Sequence, residues 1–185
     1  MLQKFCKWLL FDHLGWKEEY TIERRDKCII AVAPHTSNWD FLLGECYYAA
    51  LGRRARFLMK REWFFWPLGC VLKRLGGIPV DRKRHTSLTD HLAELAQSEP
   101  HFELAITPEG TRRRKEEWKL GFYFIALKAK LPIQLIGIDY AGKRIVATKE
   151  VWPTGNVESD IKEIKQYFSQ FEGKAKHPEN FAVNA

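Results

Sequence analysis

The run Cys28-Ile-Ile-Ala-Val-Ala33, stopped by Pro34, constrains the fold of this chain more than any other feature. It is uniformly apolar, rich in β-branched residues and too short for a helix, as a strand covered on both faces must be. Such a strand needs helices above and below it. Residues 56–59, 77–80, 102–107, 133–138 and 145–148 read as further strands. Helical segments fall between them over 39–51, 86–98 and 118–129, and a last one over 157–171. In 86–98, for example, Leu88, Leu92, Leu95 and Ala96 recur at helical spacing. Strands alternating with helices predict an α/β fold with a mostly parallel central sheet flanked by helices. No internal repeat or composition break marks a second domain, so 17–172 is expected to be one unit.

Residues 2–14 predict a short N-terminal amphipathic helix, with Leu2, Phe5, Cys6 and Leu9 on one face and Trp8 and Phe11 extending it. Two roles are open for residues 1–16: packing on the domain core, or lying in a membrane surface as an anchor. The polar segment 173–185 is expected to be loosely held.

Composition narrows the partners. The chain has 185 residues, a formal net charge of +7 and 14 % aromatic residues. A basic, aromatic-rich domain suits either nucleic acid or a phospholipid surface. The longest stretch free of charged residues, 28–39, is interrupted by Pro34, His35, Thr36, Ser37 and Asn38. Crossing a bilayer takes about 18 or more apolar residues, so no membrane span is expected. The apolar run Trp8 to Phe11 is cut at Asp12, too short for the centre of a signal peptide. Cys6, Cys28, Cys46 and Cys70 lack metal-site spacing and are expected to be reduced thiols in a cytoplasmic protein.

Ligands of α/β proteins sit beyond the carboxyl edge of the sheet, which directs attention to three strand ends. The first carries His35 and Asp40. If the chain doubles back there, Asp40 can hold one imidazole nitrogen while the other faces a substrate hydroxyl. Ser37 and Asp40 also form a capping-box pattern for the next helix, and the two readings are compatible. The second is Thr107-Pro-Glu-Gly-Thr-Arg112, a turn by its Pro and Gly whose Arg fork matches phosphate oxygens. The third is Gly76-Gly-Ile-Pro-Val-Asp-Arg82, ending in a basic turn that is either simply solvated or a second phosphate contact.

Taken in order, these segments resemble the glycerolipid acyltransferases, the lysophosphatidic acid acyltransferase superfamily. His35 and Asp40 match the His-x4-Asp motif of that family, and residues 76–82 its Gly-rich strand ending in Arg. Pro108 to Arg112 match its Pro-Glu-Gly-Thr-Arg motif in full, and residues 131–138 are similar to its Pro-led apolar strand. Lys119-Leu-Gly121 is similar to the Lys-x-Gly usual there. The resemblance covers about 28–140. It implies His35 as general base oriented by Asp40, and direct attack of an acceptor hydroxyl on an acyl thioester, from acyl-CoA or acyl carrier protein, with no bound cofactor or metal. Arg82 and Arg112 would carry the acceptor phosphate, with Glu109, Gly110 and Thr111 shaping its site. The default acceptor is 1-acylglycerol-3-phosphate; another lyso-lipid, such as a lyso amino-acid lipid, is the alternative. Thr107 departs from the apolar or aromatic residue more usual there, and Arg113, Arg114 and Lys115 extend the basic stretch.

Charge is not spread evenly. Residues 53–84 hold ten Lys and Arg against Glu62 and Asp81, a net of +8, so the remaining chain sums to −1. The same window contains Trp63, Phe64, Phe65 and Trp66, four aromatics that cannot all face inward. Together with Trp8 they are expected to meet a membrane or an acyl chain. No nucleic-acid-binding motif accompanies the charge. The expectation is an enzyme peripheral to the inner face of the cell membrane, with a phospholipid surface and not nucleic acid as partner.

Overall fold

A computed structural model describes residues 1–80 and 85–183 of the chain. Its strands are β1 (Lys17–Tyr20), β2 (Lys27–Ala33), β3 (Arg56–Lys60), β4 (Gly77–Val80), β5 (Phe102–Ile106), β6 (Ile133–Asp139) and β7 (Arg144–Val151). They form a single sheet in the order β1-β7-β6-β2-β5-β3-β4. Every neighbouring pair is parallel except β6 and β7, which are antiparallel. The α/β architecture expected from the alternating pattern is therefore present, with helices on both faces.

The helices are α1 (Leu2–Lys7), α2 (Asn38–Ala50), α3 (Leu68–Arg74), α4 (His85–Ser98), α5 (Gly121–Ala129) and α6 (Val157–Ser169). Side chains of β2 alternate between two apolar clusters. Ile29, Ala31 and Ala33 face the cluster built with α4, α5 and α6, while Cys28 and Ile30 face Tyr47 of α2 together with Leu10 and Trp16. All seven residues of β6 are buried. Its polar members are satisfied: Gln134 donates to Glu23 O at 2.7 Å and accepts from Tyr20 Oη at 2.7 Å. Asp139 turns the chain into β7 by accepting from Gly142 N–H at 2.7 Å.

Two elements lie outside the sequence expectation. Strand β1 is the polar segment Lys-Glu-Glu-Tyr, which among the described residues pairs only with β7 and so needs no apolar run. Helix α3 is a short crossover between the parallel strands β3 and β4, required because parallel neighbours cannot be joined by a tight turn.

The N-terminal helix packs on the domain along one side and leaves the other side exposed. It continues from α1 as a wider helical turn over Trp8–His13. Cys6 and Leu10 are buried, and Gln3 Nε2 reaches Ala50 O at 3.5 Å on α2, while Leu2, Phe5 and Trp8 are at least half exposed.

The end of the chain corrects an expectation. Residues 173–185 were expected to be loosely held, yet Ala175, Phe181, Ala182 and Val183 are buried. Val183 N–H donates to Glu172 Oε1 at 2.7 Å, and Phe181 and Val183 join the larger core cluster. Three apolar residues at the far end dock a segment that is otherwise polar.

Candidate active site

Strand β2 ends at Ala33, and the chain turns through a cis Ala33–Pro34 bond into the loop before α2. Ser37 caps α2. Its Oγ accepts from Trp39 N–H at 3.2 Å, and the Asp40 carboxylate returns to the cap backbone. The capping box read from the sequence is thus formed.

The same carboxylate has further partners. Asp40 Oδ2 accepts from Thr36 N–H and Ser37 N–H, both at 2.8 Å, and lies 3.2 Å from His35 Nδ1. Asp40 Oδ1 accepts from the Tyr140 hydroxyl at 2.7 Å. Burial by itself would raise the Asp40 carboxyl. Hydrogen bonds from His35, the Ser37 backbone and Tyr140 outweigh it and hold the group below the usual carboxylate range. An ionised Asp40 facing Nδ1 fixes the orientation of the His35 ring and turns Nε2 away from the carboxylate. Capping and orientation are done by one side chain.

Glu109 lies at the end of β5 beside this loop. Its two oxygens accept from His35 N–H at 3.0 and 3.1 Å, and the side chain is buried. Burial pushes its carboxyl up to about 8, against the His35 N–H, and the negative Asp40 adds to the rise. Glu109 is therefore predominantly protonated at neutral pH, which avoids two adjacent buried negative charges. It fixes the backbone of His35 rather than its ring.

The turn that carries Glu109 depends on Gly110, at φ +61°. A Cβ there would come within 2.7 Å of the Lys119 side chain. Gly110 N–H donates to Thr107 O at 3.0 Å, and Lys119 N–H donates to Pro108 O at 2.7 Å, closing the turn. Arg112 is exposed and its guanidinium hydrogen-bonds Asn38 Oδ1 in the first turn of α2. Thr111 Oγ accepts from Arg113 N–H at 3.3 Å. The His35, Asp40, Glu109 and Arg112 positions, 74 residues apart in sequence between His35 and Glu109, are thus drawn to one edge of the sheet. Arg82, the expected second phosphate contact, lies outside the described residues.

Tyr140 and the chain end escape sequence reasoning. Tyr140 follows β6, its ring meets Trp16 edge-on at 5.2 Å, and its N–H donates to Lys174 O at 2.8 Å. His177 N–H donates to Thr36 Oγ at 3.2 Å, and Lys176 Nζ stands 4.8 Å from the Trp39 ring centre. The segment 174–177 is a strap across the loop that holds His35. Only the Tyr directly after an apolar strand offered a signal for any of this, and Tyr is ordinary there.

The expected aromatic contacts are distributed unevenly. Trp63, Phe65 and Trp66 are exposed and Phe64 is half-buried. Trp8 is 50 % exposed on the N-terminal helix, on the α2 side of the sheet.

The family model described as Acyltransferase matches residues 17–139, well over half of the chain. The chain belongs to the acyltransferase family. Among solved structures, it is similar to the crystal structure of PlsC, the 1-acyl-sn-glycerophosphate (LPA) acyltransferase of Thermotoga maritima. That likeness has a TM-score of 0.61 at 18 % identity, over 91 % of this chain and 76 % of that one, and it shows a shared fold. No curated protein matches the sequence. The acyltransferase family match spans β1 to β6 and so includes His35, Asp40 and Glu109 but stops just short of Tyr140 and the strap.

No helix among the described residues is long and apolar enough to cross a membrane.

Proposed function

We propose that the protein moves a fatty acyl group from a thioester, of coenzyme A or acyl carrier protein, to the hydroxyl of a lysophospholipid, with 1-acylglycerol-3-phosphate as acceptor. The observation that carries this reading is His35 Nδ1 held 3.2 Å from a buried, ionised Asp40. The acceptor class is supported by the similar fold of PlsC, the 1-acyl-sn-glycerophosphate (LPA) acyltransferase of Thermotoga maritima.

In the proposed reaction, His35 Nε2 takes the proton of the acceptor hydroxyl as its oxygen attacks the thioester carbonyl carbon. The tetrahedral intermediate then collapses, the carbon–sulfur bond breaks and the imidazolium returns the proton to the departing thiolate. An ester and a free thiol result. A positioned base of this kind contributes typically 10²- to 10⁴-fold. Asp40 stabilises the imidazolium, and protonated Glu109 keeps the His35 backbone in place without adding charge. Arg112, beside the N-terminus of α2, takes the acceptor phosphate in this reading.

The enzyme works from a membrane surface in this reading. Right-handed crossovers put α2 and α3 on the same face of the sheet, and Phe41 of α2 meets Phe57 of β3 edge-on at 4.8 Å on that face. With α1 packed on α2, this helix layer exposes Phe5, Trp8, Leu42, Trp66, Val71 and Leu75. A patch of large apolar residues on one side suits insertion into the headgroup region.

Labelled acyl-CoA and acyl carrier protein, offered with a panel of lyso-lipids to the wild type and to His35→Ala, test the reading. Ester formation by the wild type alone is expected, with 1-acylglycerol-3-phosphate the preferred acceptor. Transfer by a folded His35→Ala at the wild-type rate would exclude His35 as base.

A further inference from the structure

A cleft of about 430 Å³ opens at the amino-terminal edge of the sheet, lined by Arg54, Arg56, Lys73, Arg74, the Gly76–Gly77 backbone and Glu103. It sits at the start of β3 and β4, whereas His35 and Glu109 lie at the carboxyl ends of β2 and β5. A five-residue strand such as β3 separates the two edges by roughly 17 Å. The cleft is a different place from the candidate active site.

Its charges are not balanced internally. Arg56 is committed to Glu99 and to the Phe102 ring, and Glu103 is taken by Arg53 at 2.9 Å. The side chains of Arg54, Lys73 and Arg74 make no ion pair or hydrogen bond among the described residues. Lys73 and Arg74 occupy the last turn of α3, where the helix dipole favours cations. That explains two cations but not the approach of Arg54 from a different element. The floor is glycine backbone: a Cβ on Gly76, at φ +103°, would lie 2.9 Å from Ala55 O. A Cβ on Gly77 would lie 2.8 Å from Leu72 O, so close backbone packing requires both glycines.

Exposed apolar side chains flank Lys73 and Arg74 in sequence. Val71 on α3 and Leu75, the residue that ends it, are 52 % and 37 % exposed. Gln3 of α1, between exposed Leu2 and Phe5, packs against Gly52 just before Arg54. Exposed cations around a cleft, beside an outward apolar stripe, match a phosphodiester with acyl chains alongside it, better than a free anion, which needs no stripe.

We infer that this cleft binds the headgroup phosphate of an anionic bilayer phospholipid, distinct from the acyl acceptor. The site tethers the α1–α3 layer to anionic membranes while the other edge of the sheet does the chemistry. The inference rests on the proposed reading that this layer faces the membrane.

Vesicle co-sedimentation tests it, using phosphatidylcholine with and without phosphatidylglycerol. Proteins compared are the wild type, Arg54→Ala/Arg74→Ala, and the charge-matched control Lys130→Gln/Lys162→Gln on the opposite helix layer, each checked for folding by circular dichroism. Wild type is expected to partition more strongly into vesicles containing phosphatidylglycerol. The cleft variant should lose about tenfold of that partitioning and keep its binding to neutral vesicles, with the control unchanged. Equal losses in control and cleft variants would reduce the effect to net charge and overturn the site. So would complete displacement by inorganic phosphate, which would make the cleft a free-anion site. A wild type indifferent to phosphatidylglycerol, yet active in acyl transfer to a dispersed acceptor, would overturn this inference alone. Absence of acyl transfer with intact lipid-selective binding would overturn only the proposed reaction.

Discussion

The Tyr140 hydroxyl donates to Asp40 Oδ1 at 2.7 Å across 100 residues of sequence, on the carboxylate whose other oxygen faces His35. The contact joins the end of β6 to the start of α2 and leaves Asp40 with a fixed orientation. Tyr140→Phe removes the donor and leaves a buried carboxylate oxygen without that partner, costing about 1 kcal/mol of stability. If Asp40 orients the base, kcat falls about tenfold with KM nearly unchanged. Steady-state kinetics and thermal unfolding separate the two effects; a change in KM alone would place Tyr140 in substrate binding instead.

Ser37 and Asp40 share the cap but not the contact with His35, so their variants should diverge. Ser37→Ala is expected to lose about 1 kcal/mol of stability while kcat stays within a few-fold. Asp40→Asn should lower kcat by about 10² or more, since the amide cannot stabilise an imidazolium and favours the wrong tautomer. Parallel denaturant melts and turnover assays check this. Equal kinetic losses would make capping the sole role of the loop.

Glu109 gives the stability of the protein a pH signature. Its carboxyl is raised from 4.5 to about 8, so the folded state holds a proton that the unfolded chain releases. The resulting contribution is full below the unfolded value of 4.5 and is lost as pH rises through about 8. Glu109→Gln removes this ionisation. The variant should gain stability relative to wild type as pH rises across that window, read by urea melts at matched pH values. A constant difference would mean Glu109 is ionised when folded.

Gly137 in β6 lies under the Phe171 ring, and a Cβ there would fall 1.9 Å from Phe171 Cζ. Gly137→Ala must displace the ring that begins the turn into the strap. A loss of about 1–3 kcal/mol is expected, with a lower melting temperature as the readout. Gly155, with φ +95° but open space around it, is not subject to this clash.

Phe181 is 5 % exposed and anchors the chain end to the larger core. Phe181→Ala is expected to cost about 3 kcal/mol or more and to loosen the strap over Thr36. Hydrogen exchange at His177 N–H should accelerate in the variant. Unchanged protection there would show that the strap is held independently of Phe181.

Much of the site was legible because it is local. His35, Ser37 and Asp40 are close enough in sequence for a capping box to predict their backbone, and Gly110 announces its own turn. Glu109 was legible only as part of a motif. Its contact, with the His35 backbone, follows from β2 and β5 being parallel neighbours. The polar strand β1 and the short crossover α3 carried little periodicity to read, since an edge strand needs no apolar face and seven residues make barely two turns.

The sequence alone determined what local chemistry determines: buried strands from continuous apolar runs, the cap of α2, the glycine turn and the basic, aromatic stretch 53–84. Tertiary structure decided which distant groups share a site. Tyr140 reaches Asp40 only because β6 lies beside β2, and the chain end covers Thr36 only because Phe181 and Val183 find room in the core. Those contacts depend on strand order and packing, which a pattern of residue types along one chain does not encode.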